Sequence, residues 1–183
     1  AIGKEFYQGQ VTRFFSSFQR GFPVIKGPVQ AGQLRVTAAF EVIVLSRFLN
    51  PRGVAIVGVS GDPTRIGGQA LKLLTDFGYR GRIYPVNPKY PEIGGLTCYP
   101  DLGAVPKPCD VALIALSAPQ VAGAIEQAGR AGIPFALVLA GGFSEIGEKG
   151  KSLQEELVAV ARRVNVRMVG PNCLGILNLK DNA

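Results

Sequence analysis

The stretch GVSGDPTRIGG, Gly58 to Gly68, combines four glycines with a serine. Small residues let a backbone come close to a ligand, and N–H groups at a helix start point outward. The chemistry of such a turn is anion binding, phosphate above all, and the Ser60 hydroxyl adds a donor. Gly58, Ser60 and Gly61 are its candidate binding residues. The spacing G-x-x-G-x-x-x-x-x-G-G departs from the GxGxxG dinucleotide fingerprint, and no GK[ST] follows, so neither nucleotide motif is met. The competing reading is a tight turn needed only for packing.

A second turn, Val86-Asn87-Pro88-Lys89, discriminates among nucleotides. A site for NAD places Asp or Glu at the end of the second strand to bind the ribose hydroxyls. Here the acid is absent and Lys89 is present. A lysine at that position suits an extra phosphate on the ribose. NADP satisfies that condition, and so does the 3′-phosphate of coenzyme A. An ordinary surface lysine is the bland alternative.

Both turns follow apolar runs that read as strands. VAIVGV is continuous, as in a strand buried on both faces of a parallel sheet. GGQALKLLTDFG follows, with Ala70, Leu73, Leu74 and Phe77 at helical spacing and Gly78 as its stop. GRIYPVNP is a second strand ended by proline. A loop rich in proline and glycine leads to a third, DVALIAL. PQVAGAIEQAGRAG is a helix with Pro119 in its first turn, and PFALVLA a fourth strand. KGKSLQEELVAVARRVN is a helix with Leu153, Leu157, Val160 and Ala161 on one face, and VRMVG a fifth strand. Strands alternating with helices mean βαβ units with right-handed crossovers. The expected fold is α/β, a Rossmann-like doubly wound parallel sheet with helices on both faces. Ligands of such sheets bind at the carboxyl ends of the strands, where strand order reverses. Residues 1–46 obey no such rhythm and are expected as a leader, with AAFEVIVLSRFLNP as a short helix entering the first strand of a domain spanning 47–183.

Composition narrows the choice. The 24 glycines and 13 prolines suit many tight strand–helix turns. No run of 18 apolar residues predicts a membrane span, and the first residues lack the pattern of a signal peptide. The chain opens on Ala1 rather than Met, as expected of a processed product or a piece of something longer. Cys98, Cys109 and Cys173 form no CxxC pair and there is no histidine. A structural zinc is therefore not expected, nor a serine–histidine or cysteine–histidine pair. Scattered cysteines fit a reducing cytoplasm. The net charge is +7, of which residues 1–50 hold +4. These basic residues are single and accompany no nucleic-acid motif, so no nucleic-acid partner is expected.

The segments PRGVAIVGVSGDPTRIGG, GRIYPVNPKYPEIGGLTCYPDL, DVALIALSAPQV, GGFSEIGEKG and RMVGPNCLGILN occur in this order. Together they closely resemble the CoA-binding domain of the NDP-forming acyl-CoA synthetases, the superfamily that includes succinyl-CoA synthetase α subunits. The resemblance covers residues 47–183, about three quarters of the chain. RIYPVNPKY and GPNCLG together make it specific.

The resemblance implies coenzyme A as cofactor. It assigns the CoA phosphates to Ser60, Gly61, Asp62 and Pro63, with Arg65 nearby, and the nucleotide part to Asn87 and Lys89. Ser117, Ala118 and Pro119 border the adenine and pantetheine path. Leu139, Ala140 and Gly141, as far as Gly142, lie along the pantetheine arm. Asn172 and Cys173 stand near the thiol end. Asp62, an acid in a phosphate loop, is expected to turn away and cap the following helix. Cys173 is read as packing rather than a nucleophile. Glu145 is either a polar participant or a solvated loop residue. No catalytic or metal-binding residue is assigned.

In this family a histidine in the next domain carries the phosphoryl group and an ATP-grasp domain holds the nucleotide. With no histidine and an end at ILNLKDNA, the chain is expected to be the CoA-binding part of an ADP-forming acid–thiol ligase, unable to turn over alone. Its implied partners are CoA or acyl-CoA and the downstream ligase and ATP-grasp domains or subunit. Three other readings compete. They are the opening domain of an acetyltransferase with a GNAT module, a stand-alone CoA-binding protein, and an NADP-binding oxidoreductase domain.

Overall fold

A computed structural model describes residues 45–176, all within the unit Val42–Ala183. The expected leader, all but its last two residues, lies outside the described residues. Residues 45–49 are helical and lead toward the first strand.

Five strands form one sheet: β1 (Gly53–Val57), β2 (Arg82–Val86), β5 (Val111–Ile114), β6 (Phe135–Val138) and β7 (Arg167–Val169). They lie in the order β2-β1-β5-β6-β7 and every neighbouring pair is parallel. The crossovers hold helices α1 (Ile66–Asp76), α2 (Ala118–Arg130) and α3 (Glu148–Arg163). The chain runs outward from β1 to β2, then returns to lay β5 on the other side of β1. Strand order reverses there, and the loops after β1 and β5 diverge to open a crevice. No helix among the described residues is long and apolar enough to cross a membrane.

Both faces of the sheet are covered, which is why its strands read as unbroken apolar runs. Ala55, Ala112 and Ala136 stand side by side in register on one face. Their small side chains let α2 and α3 approach with Val121, Ile125, Leu157 and Val160. The other face presents Val54, Ile56, Phe135 and Leu137 to Ala70 and Leu71 of α1 and to Phe48. The rings of Phe48 and Phe135 lie 5.2 Å apart.

The face of α1 that packs differs from the expected one. Gly67, Gly68, Ala70 and Leu71 are buried, whereas Leu73 is 54% and Phe77 64% exposed. The helical period was legible, but its phase was decided by the glycines, which let the first turn of α1 sit directly on the preceding loop.

β2 contains a proline, which a strand tolerates only where its missing N–H is not needed. Pro85 lies opposite Ile56 at the sheet edge, and its nitrogen faces away from β1. On that outer side its carbonyl accepts from the N–H of Tyr99 at 2.8 Å. The segment before Tyr99 holds a small antiparallel hairpin, β3 (Glu92–Ile93) with β4 (Leu96–Thr97). The sequence reads as loop here, because two-residue strands are too short to show alternation.

Candidate functional site

All five groups of candidate residues lie at the carboxyl ends of the parallel strands. The first loop leaves β1 at Gly58, which has φ +81° and faces the Ala115 carbonyl so closely that a Cβ would lie 2.6 Å from its oxygen. A Cβ on Gly67 would land on the carbonyl of Gly58, and one on Gly68 on that of Asp62. Gly67 and Gly68 therefore close the turn onto itself, and Gly58 packs it against the loop after β5. Gly61 differs: it is exposed, and among the described residues nothing lies within 4 Å of where its Cβ would stand. It is the position where an approaching ligand finds bare backbone.

Short polar side chains shape this loop. Ser60 Oγ accepts from the N–H of Asp62 at 3.1 Å. Asp62 Oδ1 accepts from the Thr64 hydroxyl at 2.7 Å and the Thr64 N–H at 2.9 Å. The Thr64 hydroxyl and then its N–H hold the Asp62 carboxyl below the usual carboxylate range. The Asp62 side chain is exposed and engaged by Thr64, and it does not cap α1. The cap position belongs to Arg65, no side chain caps it, and the first turn has no acid. The Asp62 carboxyl is spent on Thr64, three residues short of Gly67, the first N–H a capping side chain would serve. The N-terminus of α1 thus keeps the partial positive charge that favours an anion. Arg65 stands exposed beside it, its Nε 3.7 Å from Asp62 Oδ2, and Pro63 is exposed in the same loop. Thr64, which sequence reasoning did not single out, was legible as the partner in an Asp-x-Thr turn.

In the second loop Asn87 is half-buried, while Lys89 is exposed. The Asn87 side chain donates to the Val59 carbonyl at 2.8 Å and accepts from the Lys89 N–H at 3.0 Å. It joins the first loop to the second. In the third, Ser117 precedes α2 and donates its hydroxyl to Gln120 Oε1 at 2.7 Å. Pro119 is exposed in the first turn of α2.

The fourth and fifth loops are locked together. The Leu139 N–H donates to Ile114 at 3.1 Å, and the Asn172 N–H donates to Ala140 at 2.9 Å. Leu139 is half-buried and Ala140 buried in the core, so Ala140 can offer a ligand only its backbone. Gly141 is exposed, with Glu145 and Asn172 on either side. A Cβ there would lie 3.3 Å from Glu145 Oε1 and 3.5 Å from Asn172 Oδ1. Glu145 is not merely solvated: Oε1 accepts from the N–H groups of Gly142 at 2.5 Å and Phe143 at 3.1 Å. Backbone N–H groups, its own first and then those of Gly142 and Phe143, hold its carboxyl below the usual range.

Cys173 is half-buried, and its thiol points at the Val138 carbonyl, Sγ to O 3.2 Å. Burial pushes this thiol up from its ordinary value, which keeps it protonated at neutral pH and supports a packing role. The arrangement as a whole can bind an extended anion. It offers one bare-backbone turn, one uncapped helix N-terminus and the two exposed cations Arg65 and Lys89, while Asp62 and Glu145 are tied to backbone N–H groups.

Residues 52–178 match the CoA binding domain family. The chain is 42% identical over 134 residues to the ADP-forming acetate–CoA ligase I of Archaeoglobus fulgidus, covering 73% of this chain and 19% of that protein. It is 36% identical over 138 residues to the alpha subunit of the ADP-forming acetate–CoA ligase II of Pyrococcus furiosus, covering 75% of this chain and 30% of that subunit. Among solved structures it is similar to the dinucleotide-forming acetyl-coenzyme A synthetase 1 of Candidatus Korarchaeum cryptofilum in complex with phosphate and ADP. There the identity is 42% and the TM-score 0.72, over 75% of this chain and 29% of that one. The chain thus spans less than a third of the length of these relatives. The family match takes in all five parallel strands and the loops that leave their carboxyl ends, and the chain belongs to the CoA binding domain family.

Proposed function

We propose that this chain holds coenzyme A for an ADP-forming acyl-CoA ligase of which it forms one part. The observation that supports this best is the bare turn at Gly61 beside the uncapped α1, with Lys89 exposed on the neighbouring loop. Together they fit a ligand with a pyrophosphate and a separate ribose phosphate. Ser60, Gly61 and Arg65 would hold the pyrophosphate, Lys89 the 3′-phosphate, and Gly141 and Asn172 would flank the pantetheine arm. CoA supplies the thiol on which a thioester forms. With every cysteine thiol raised by burial, this chain supplies binding and orientation rather than a nucleophile. The remaining chemistry and the acid to be activated belong to further domains or a partner subunit, in keeping with relatives named as alpha subunits.

Calorimetric titration of the 183-residue chain with CoA, dephospho-CoA, NADP and NAD tests this reading. CoA should bind most tightly and dephospho-CoA more weakly. Tightest binding by NADP would refute the proposal.

A further inference from the structure

Asn87 stands where β2 ends, and each of its four polar atoms is engaged inside the protein. Its N–H donates to the Tyr99 carbonyl at 2.9 Å. Its own carbonyl accepts from the Tyr90 N–H at 3.3 Å and from Cys98 Sγ at 3.5 Å. The side-chain Nδ2 donates to the Val59 carbonyl at 2.8 Å, and Oδ1 accepts from the Lys89 N–H at 3.0 Å. The partners dictate the amide's orientation, since a carbonyl needs a donor and an N–H an acceptor.

The reason for this arrangement lies in the next residue. The last backbone rung between β1 and β2 runs from the Gly58 N–H to the Val86 carbonyl at 3.0 Å. The following rung would need an N–H from Pro88, which has none. The Asn87 amide supplies the missing donor one residue further along, at Val59. Val59 is fully buried, and an unmet carbonyl there would be costly. One side chain therefore ties the turn before Gly61 to the backbone of Lys89.

We infer that Asn87 is a positioning residue: it fixes the two anion-binding loops relative to each other and thereby sets the selectivity of the chain for CoA over dephospho-CoA. This rests on the CoA-binding reading above. It also reassigns Asn87, which contacts the ligand's neighbours rather than the ligand. A ligand that bridges both loops then meets a site of preset spacing, and less ordering is needed on binding.

The experiment compares the wild-type chain with Asn87→Ala, Lys89→Ala and the double variant. CoA and dephospho-CoA affinities are measured by calorimetry. Hydrogen exchange of the Lys89 N–H is followed without ligand. Lys89 is exposed, so slow exchange of its N–H in the wild type requires the bond to Asn87, and at least tenfold protection is expected. Asn87→Ala should abolish that protection and lower CoA affinity about tenfold or more. It should bring the CoA to dephospho-CoA ratio down to that of Lys89→Ala, with no further fall in the double variant. A residue that only stabilises the fold would lower the melting temperature and leave the ratio at its wild-type value, which overturns the inference while CoA binding stands. Should Asn87→Ala not fold, an unprotected Lys89 N–H in the wild type overturns it instead. A wild-type chain that binds no CoA removes the function on which the inference rests, a result distinct from the other two.

Discussion

Arg52 clasps Asp110 with both ends of its guanidinium: Nε lies 2.9 Å from Oδ2 and the terminal nitrogen 2.7 Å from Oδ1. The Arg52 N–H adds a third bond to Oδ2 at 2.9 Å. Asp110 is 2% exposed, and the pair joins the entries to β1 and β5. Burial works against ionisation of Asp110, but the hydrogen bonds from Arg52, with Arg47 nearby, prevail and hold its carboxyl below the usual range. In the unfolded chain the group titrates near its ordinary value of about 4. The unfolded state therefore takes up the proton first as pH falls. The pair's stabilisation is complete above about pH 4 and is lost as pH drops through the folded value. Arg52→Ala leaves the buried carboxylate of Asp110 unmatched and should lower the denaturant midpoint at neutral pH. Denaturant titrations of wild type and variant from about pH 7 down to about pH 2, which spans the fall below the unfolded value of about 4, should show the gap narrowing toward acid.

The two kinds of glycine in the first loop should separate on substitution. Gly61→Val adds a side chain into open space, so the melting temperature should stay near wild type while CoA binding is largely lost. Gly58→Ala forces a Cβ against the Ala115 carbonyl at φ +81° and should cost about 1–3 kcal/mol. Equal CoA affinity for Gly61→Val and wild type would remove this turn from the site.

Lys89→Ala should weaken CoA by about 1.5–3 kcal/mol, the worth of one charged hydrogen bond, and leave dephospho-CoA nearly unchanged. Parallel calorimetric titrations of the two ligands decide the point, since equal losses would place Lys89 away from the 3′-phosphate.

The three thiols should resist alkylation. Burial raises Cys98 and Cys173, and takes Cys109 up to about 11. Less thiolate is then present at pH 8 than in an ordinary cysteine, whose value is about 8.5. Iodoacetamide labelling of the folded chain followed by mass spectrometry should be more than about tenfold slower at each site than in denaturant.

Substitutions along α1 should follow the observed burial rather than the simplest amphipathic pattern. Leu71→Ala should cost about 2–4 kcal/mol, because Leu71 packs beneath the sheet. Leu73→Ala should change stability by no more than about 0.5–1 kcal/mol, as its side chain is 54% exposed. Urea unfolding midpoints of the two variants compare them directly.

Much of this molecule is written in local patterns. The unbroken apolar runs at VAIVG, VALIA and FALVL require strands buried on both faces, and the intervening periodic segments require helices, so a doubly wound parallel sheet follows from the sequence. That sheet places GVSGDPTRIGG, NPKY, SAP, AGG and PNC at one end, whichever order its strands take. Lys89 in place of an acid at the second strand was equally legible, because it is a matter of residue type at a position.

What the tertiary structure alone decided concerns approaches between segments distant in sequence. Four glycines look alike in the chain, yet Gly58 is required by Ala115, 57 residues on, and Gly61 by nothing among the described residues. Leu73 and Phe77 share a helical period with Ala70, yet only contact with the sheet chooses which phase is buried. The Asn87 side chain meets the Val59 carbonyl at 2.8 Å and the Cys173 thiol faces Val138, partners 28 and 35 residues away that no local pattern names. Periodicity and residue type are local quantities set by the backbone's own geometry. Hydrogen-bond partners and close contacts between loops depend on how the crossovers return the chain to the sheet, and only the folded arrangement contains that information.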